Sequence, residues 1–189
     1  DGDLHRAFYF KAKNGTGYFA DNGESCRKIL LKMPLQYGRM TSGFGSRHHP
    51  VLGYTRTHNG VDYGVPVGTQ VWSVGDGRVV KAGHGNGFGN VVEVSHANGW
   101  ISQYAHLSAV AVKVGQHVSQ KQVIAKSGNT GMSTGPHLHY GLKRNNGYVD
   151  PAAQKFDRAE SLKGAELAAF KHEVEKLSSE LDRISVAGL

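Results

Sequence analysis

Short runs of β-branched and aromatic residues alternate with glycine-rich turns along residues 34–151. Runs of this length, separated by turns at this spacing, predict a mainly β protein built on an antiparallel β-sheet or sandwich. Helix signals are absent from this region. The predicted strands are residues 70–74, 78–82, 91–95, 101–105, 123–126 and 137–142.

The first 33 residues predict a separate β-hairpin fragment. Aromatic residues at 8–10 and 18–19 flank Asn14-Gly15, a pair that is typical of a two-residue hairpin turn. So short a segment buries little apolar surface by itself. We therefore expect it either to pack on the main body or to end a larger upstream module.

The last 32 residues, 158–189, change to a helical pattern with apolar positions three and four residues apart. The apolar positions are Leu167, Phe170, Val174, Leu177, Leu181 and Ile184. This spacing predicts an amphipathic helix, with Ser161 or a neighbour as its N-cap. The repeat is too short for a coiled coil, so we expect packing against its own domain or an upstream part. The chain is thus divided into residues 1–33, 34–157 and 158–189.

The formal net charge of +7 fits either a diffuse solubilising surface or an anionic partner such as a cell-wall polymer. Lys and Arg are scattered, without the clusters and interleaved aromatics of a nucleic-acid surface, so no nucleic acid is expected. The single Cys26 excludes an internal disulfide and a cysteine-based zinc site. No run of about 18 apolar residues predicts a membrane span. The chain begins at Asp1 without a secretory signal, and we expect it to be a processed or truncated piece.

Two histidines, His137 and His139, stand two residues apart in the predicted strand 137–142. Because side chains alternate faces along a strand, both imidazoles point the same way and Leu138 points the other way. Neutral imidazole is the commonest metal ligand and also the usual proton shuttle near neutral pH. The pair therefore predicts either a metal site or a proton-transfer site.

Three further residues join this pair as candidates. His58 and Asp62 are four residues apart, a spacing that places them on one face of either a helix or an extended segment. His106 follows the predicted strand 101–105, where alternation puts it on the face of Tyr104. Mixed histidine and aspartate ligands suit Zn²⁺, and three of them leave a position for water. The remaining histidines then serve as general base, general acid or stabiliser of an oxyanion.

Other motifs do not predict a site. His172-Glu173 begins like the zinc motif H-E-x-x-H, but Lys176 stands where the second histidine is required. The glycine-rich segment 83–89 lacks the spacing and the strand-to-helix setting of a dinucleotide-binding loop.

The five candidates lie inside longer blocks: RMTSGFG at 39–45, HNGVDY at 58–63, YAHL at 104–107 and SGNTGMSTGPHLHY at 127–140. These blocks resemble the lysostaphin-type zinc metallopeptidases, which cut peptide cross-links in bacterial peptidoglycan. The resemblance implies that His58, Asp62 and His139 bind one Zn²⁺ and that His106 and His137 are the catalytic pair. It implies that one of this pair takes a proton from water while the other hydrogen-bonds the oxyanion. Alternation alone does not rank His137 against His139.

The flanking segments, 8–35 and 150–162, resemble the multidomain periplasmic enzymes of Gram-negative bacteria, whose upstream domains can cover the active site. The resemblance implies an envelope location and a D,D-endopeptidase that cuts D-alanyl-diaminopimelate bonds between stem peptides. Arg47, His49 and Tyr54 precede the first ligand, and we expect them to line the substrate groove. The alternative is a catalytically silent wall-binding module that activates other wall hydrolases. Such a module predicts damaged ligand positions, and all five positions are intact.

Overall fold

The computed structural model describes residues 6–13, 15–48 and 55–187. The chain forms two compact units: residues 30–155, and residues up to Ile29 together with residues from Phe156 onward. The strands are β1 (Phe8–Ala12), β2 (Gly15–Phe19), β3 (Arg39–Ser42), β4 (Gly45–His48), β5 (Thr55–His58), β6 (Val61–Gly64), β7 (Gln70–Trp72), β8 (Gly77–Gly85), β9 (Gly89–Ser95), β10 (Trp100–Leu107), β11 (Ala109–Val110), β12 (His117–Val118), β13 (Val123–Lys126), β14 (Leu138–Arg144) and β15 (Gly147–Val149). The helix is α1 (Gly164–Ala187).

The larger unit is built on an eight-stranded sheet in the order β12-β8-β9-β10-β14-β6-β3, with β15 also paired to β14. The remaining described strands of this unit form a three-stranded sheet, β11-β13-β7, and a two-stranded ribbon, β4-β5. Every pairing between these strands is antiparallel. The predicted fold class, mainly antiparallel β with a hairpin and a C-terminal helix, is therefore confirmed.

The six predicted strands all occur, as β7, β8, β9, β10, β13 and β14, although their ends differ. The strand predicted at 137–142 begins at Leu138 and extends to Arg144, while β10 extends through His106 to Leu107. Strands β3 to β6 lacked a sequence signal because each has only four residues and is rich in polar side chains or glycine.

The central strands bury one face and leave the other to the site. Val61, Tyr140 and Tyr104 are neighbours across β6, β14 and β10, and all three are fully buried. The next residues along these strands, Asp62 and His139, are paired with each other on the opposite face. Because register fixes the face of every side chain, the buried tyrosines dictate where Asp62 and His139 point.

In the smaller unit the hairpin and the helix share one core. The rings of Phe8, Phe10 and Phe19 lie 6.3, 5.3 and 5.8 Å from the Phe170 ring, each edge-on. Edge-to-face pairs of this kind add roughly 0.5–1.5 kcal/mol each beyond burial. Leu167, Val174 and Leu177 of the predicted stripe pack against the same cluster. Asn14 and the side chains of Leu181 and Ile184 lie outside the described residues.

This shared core differs from the sequence-based division, which treats residues 1–33 and 158–189 as separate segments. The helix begins at Gly164, so Ser161 precedes it by three residues and Lys163 is its immediate neighbour. Glu166 in the first turn accepts a 2.6 Å hydrogen bond from the backbone N–H of Lys13 in the hairpin. Among the described residues, no helix combines the length and the apolar character that crossing a bilayer requires.

Candidate metal and catalytic site

Three strand segments bring the first candidates together. His58 is the last residue of β5, Asp62 is the second residue of β6, and His139 of β14 pairs directly with Asp62. The chain turns at Asn59-Gly60, so neither the helix nor the continuous extended segment considered for the His58–Asp62 spacing occurs. The turn nevertheless brings both side chains to the same point.

Three ligand-type atoms meet at this point. His58 Nε2 lies 3.0 Å from Asp62 Oδ1 and 3.0 Å from His139 Nδ1, and His139 Nδ1 lies 2.9 Å from Asp62 Oδ1. Tetrahedral ligands about 2.0–2.2 Å from a zinc ion lie roughly 3.3–3.6 Å apart, so small side-chain movements suffice to admit an ion. The two nitrogens and the carboxylate oxygen are a donor set that suits zinc.

Hydrogen bonds fix the orientation of His58 and the charge of Asp62. The Nδ1–H of His58 donates to the carbonyl of Gly43 at 2.7 Å, so Nε2 is the ring nitrogen that faces Asp62 and His139. Burial alone raises the pKa of Asp62, but hydrogen bonds from His139 and His58 outweigh it and hold that pKa well below its usual range. The site therefore presents an ionised carboxylate beside imidazole nitrogens, which favours a bound cation.

The ring of His139 is held from behind by Gly60. A Cβ on Gly60 would lie 2.8 Å from His139 Nε2 and 2.5 Å from the carbonyl oxygen of Tyr140. His139 Nε2 is buried and has no hydrogen-bond partner among the described residues. Close approach of bare backbone, rather than a hydrogen bond, therefore keeps Nδ1 turned towards the other two ligands.

His106 reaches the site through a bulge in β10. The register between β10 and β9 shifts between Tyr104 and Leu107, and His106 has a φ of +59°. A non-glycine residue in this left-handed conformation is strained, and bulges commonly re-aim a side chain next to an active site. The expected shared face of His106 and Tyr104 is therefore wrong: Tyr104 points into the core, whereas His106 lines the cleft.

The environment of His106 favours its neutral form. Burial lowers the pKa of the His106 imidazole, and nearby His137 and His139 lower it further. A hydrogen bond from Nδ1–H to the carbonyl of Thr130, 2.8 Å long, only partly opposes this. The ring is therefore a neutral base whose Nε2 carries the lone pair.

His137 lies beside His106, with ring centroids 4.8 Å apart. Its Nδ1–H donates to the carbonyl of Gly135 at 2.8 Å, and the Ser133 hydroxyl lies 3.1 Å from the same nitrogen. Its Nε2 lies 3.9 Å from Asp62 Oδ1. His137 thus borders the ligand cluster without joining it, which separates it geometrically from His139.

The five candidates line one cleft of about 480 Å³. The 3₁₀ turn Asn86–Phe88 and residues 132–134 form a wall of this cleft. A backbone hydrogen bond from Met132 N–H to the carbonyl of Gly87, 2.8 Å long, joins the two loops. The glycine-rich segment 83–89 matched no binding motif, yet it contributes its backbone to the wall of the cleft. It also contributes the Phe88 ring, whose centroid lies 5.7 Å from that of the His139 ring.

Two of the three expected groove residues, His49 and Tyr54, lie outside the described residues. The backbone of Arg47 lies in β4 opposite Arg56, and its side chain is also outside the described part. Their role in substrate binding stays a prediction. Sequence reasoning missed the carbonyl acceptors of Gly43 and Thr130, because a backbone acceptor leaves no residue-type signal.

Comparison with known proteins places this geometry among metallopeptidases. Residues 56–151 match the sequence profile of Peptidase family M23. The peptidoglycan DD-endopeptidase ShyC of Vibrio cholerae serotype O1 is 38% identical over 173 residues, which are 91% of this chain and 40% of that protein. The chain thus spans about two fifths of the length of this relative.

Solved structures of peptidases are also similar to this chain. A zinc-containing peptidase from Vibrio cholerae is 35% identical with a TM-score of 0.66, over 80% of this chain and 47% of that chain. The catalytic domain of lysostaphin from Staphylococcus simulans is 36% identical with a TM-score of 0.56, over 60% of this chain and 89% of that domain.

Proposed function

Because the chain belongs to peptidase family M23, we propose that it is a zinc-dependent endopeptidase that hydrolyses peptide cross-links in bacterial peptidoglycan. The observation that carries the proposal is the convergence of His58, Asp62 and His139 on one point, beside the paired rings of His106 and His137. A metal site and two proton-carrying groups in one cleft are the components of metal-assisted hydrolysis.

One zinc ion per chain would be held by His58 Nε2, Asp62 Oδ1 and His139 Nδ1. The fit rests on the 2.9–3.0 Å separations of these atoms and on the two rings whose orientations Gly43 and Gly60 fix. When bound, the ion polarises the scissile carbonyl and lowers the pKa of water towards about 7.

His106 and His137 handle the proton and the developing negative charge. Each ring donates Nδ1–H to a backbone carbonyl, that of Thr130 for His106 and that of Gly135 for His137, so Nε2 is the nitrogen left to face the substrate. One ring, unprotonated at Nε2, accepts the proton of the attacking water. The other ring, protonated at Nε2 as well, donates a hydrogen bond to the oxyanion that develops on the carbonyl. Burial lowers the pKa of His106 and so keeps its ring unprotonated, which leaves Nε2 available to accept that proton.

The bond cut is the D-alanyl-diaminopimelate cross-link, and the location is the periplasm or cell envelope of a Gram-negative bacterium. The Vibrio relative is named a peptidoglycan DD-endopeptidase, which supports this bond type. Residues 30–155 also carry twelve of the 22 Lys and Arg residues but only four of the 15 acidic residues. This positive excess attracts substrates rich in carboxylates. An upstream domain that covers the cleft stays a prediction.

Release of dye from labelled peptidoglycan, with metal analysis of the same sample, tests the proposal. We expect one zinc per chain, and we expect a chelator to abolish dye release and added zinc to restore it. The reason is that, in this proposal, the zinc ion is the group that polarises the scissile carbonyl. His172→Ala, an exposed helix histidine, is the matched control and keeps full activity. Stoichiometric zinc with binding to peptidoglycan but no release would instead support the silent regulatory module.

A further inference from the structure

The conformation of His106 needs an external support. Its φ of +59° lies in the left-handed region at the bulge of β10, where the ladder with β9 is interrupted. A bulge leaves backbone groups unpaired, and a strained residue persists only when its surroundings over-determine it. The groups that hydrogen-bond to the backbone and side chain at this bulge therefore decide where the His106 ring points.

Thr130 supplies most of these groups. Its carbonyl accepts Nδ1–H of His106 at 2.8 Å, and its hydroxyl donates to the carbonyl of Leu107 at 2.9 Å. The same hydroxyl accepts the backbone N–H of Asn90 at 3.0 Å, and Asn90 Nδ2 donates to the Leu107 carbonyl at 3.1 Å. One residue thus binds the ring of His106, the backbone that follows it and the neighbouring strand β9.

Glycines lock Thr130 in place. Gly89 and Gly131 have φ values of +62° and +74°, and a Cβ on Gly89 would lie 2.6 Å from the Thr130 carbonyl oxygen. A Cβ on Gly128 would likewise lie 2.6 Å from the carbonyl oxygen of His106. The loop that carries Thr130 is therefore pressed against the bulge, so the position of its carbonyl is fixed by packing as well as by hydrogen bonds.

We propose that Thr130 is the positioning residue for His106: its hydroxyl holds the bulge, and its carbonyl selects the tautomer whose Nε2 lone pair serves hydrolysis. This rests on the proposed function, in which His106 acts on the reacting atoms. The hydrogen bonds of Thr130 go to His106 and to the backbone around the bulge, so its effect on hydrolysis is exerted through His106.

Thr130→Val in the zinc-loaded protein tests the proposal on a soluble cross-linked muropeptide. Valine keeps the shape but removes the hydroxyl, so we expect wild-type zinc content, a KM within about twofold and a kcat lowered about 10- to 100-fold. Thr130→Ser restores the hydroxyl and is expected within about threefold of wild type. Thr69→Val, which removes another threonine-to-carbonyl bond outside the cleft, is the matched control.

A double-mutant cycle separates positioning from general damage. In a His106→Ala background, Thr130→Val is expected to change the residual kcat by less than about twofold, because the group it positions is gone. A wild-type kcat for Thr130→Val would overturn the proposal. So would an equal loss of kcat with and without His106, since Thr130 would then act on something else.

The tautomer gives a readout that does not depend on hydrolysis. Long-range ¹H–¹⁵N NMR of the zinc-loaded wild type is expected to show the His106 proton on Nδ1, and Thr130→Val is expected to weaken that preference. A proton on Nε2 in the wild type would overturn the proposal even if the valine variant fails to fold. Absence of hydrolysis by the wild type would reject the proposed function instead, and leave the tautomer experiment to judge Thr130.

Discussion

Alanine at His106 or at His137 is expected to lower kcat for cross-link hydrolysis by about 10²–10⁴-fold each, with zinc still bound. The reason is that each ring acts on a proton or on a developing charge in the transition state, while neither supplies a ligand atom. Their Nδ1 atoms are tied to the carbonyls of Thr130 and Gly135, so removing a ring leaves His58, Asp62 and His139 in place.

Glutamine variants of the same two histidines assign the role of each ring. Glutamine keeps a hydrogen-bond donor but accepts no proton at neutral pH, so it can replace an oxyanion stabiliser better than a base. We expect His106→Gln to be as inactive as His106→Ala, and His137→Gln to recover part of the loss. Steady-state kinetics with zinc analysis on each variant provides the measurement. Full turnover by either alanine variant with zinc bound would remove that histidine from the mechanism.

Gly60→Ala is expected to weaken zinc binding by about 10- to 100-fold or more, although Gly60 supplies no ligand. The added Cβ would lie 2.8 Å from the His139 ring and 2.5 Å from the Tyr140 carbonyl oxygen. Rotation of the ring alone does not relieve a contact with backbone, so β14 and His139 must shift together. Nδ1 then leaves the position where it meets His58 and Asp62.

Competition with a chromogenic chelator measures this affinity, and circular dichroism checks that the variant is folded. Gly147→Ala is the matched control, because its Cβ would have only one neighbour, at 3.7 Å. Excess zinc is expected to restore part of the Gly60→Ala activity, since the chemical groups are all present. Wild-type affinity in Gly60→Ala would mean that close backbone approach does not orient His139.

The spacing of polar residues predicted the five candidate side chains but not the way the backbone brings them together, and the choice of His139 rather than His137 as a ligand came from the family resemblance. His137 and His139 follow strand alternation, and the structure places both rings in one cleft. His106 breaks the same rule, because a bulge moves it off the face of Tyr104 and no residue type in β10 marks a bulge. His58 and Asp62 are brought together by a turn at Gly60, and not by a helix or a continuous extended segment.

Long-range partners were also beyond the sequence. The helical stripe at Leu167, Phe170, Val174 and Leu177 was visible as a period, but its partner is a hairpin about 150 residues away in the chain. Apolar periodicity reports that a face is buried and says nothing about what covers it. The carbonyls of Gly43, Thr130 and Gly135 were invisible for a related reason, since every residue has one.

Mass analysis of the products from a defined D-alanyl-diaminopimelate cross-linked muropeptide dimer, with zinc and with chelator, tests the central claim most directly. The account predicts conversion of the dimer into two monomers with the addition of one water, only when zinc is present, and no conversion by His106→Ala. A zinc-loaded protein that leaves the dimer intact, or that releases only a terminal D-alanine, would contradict it.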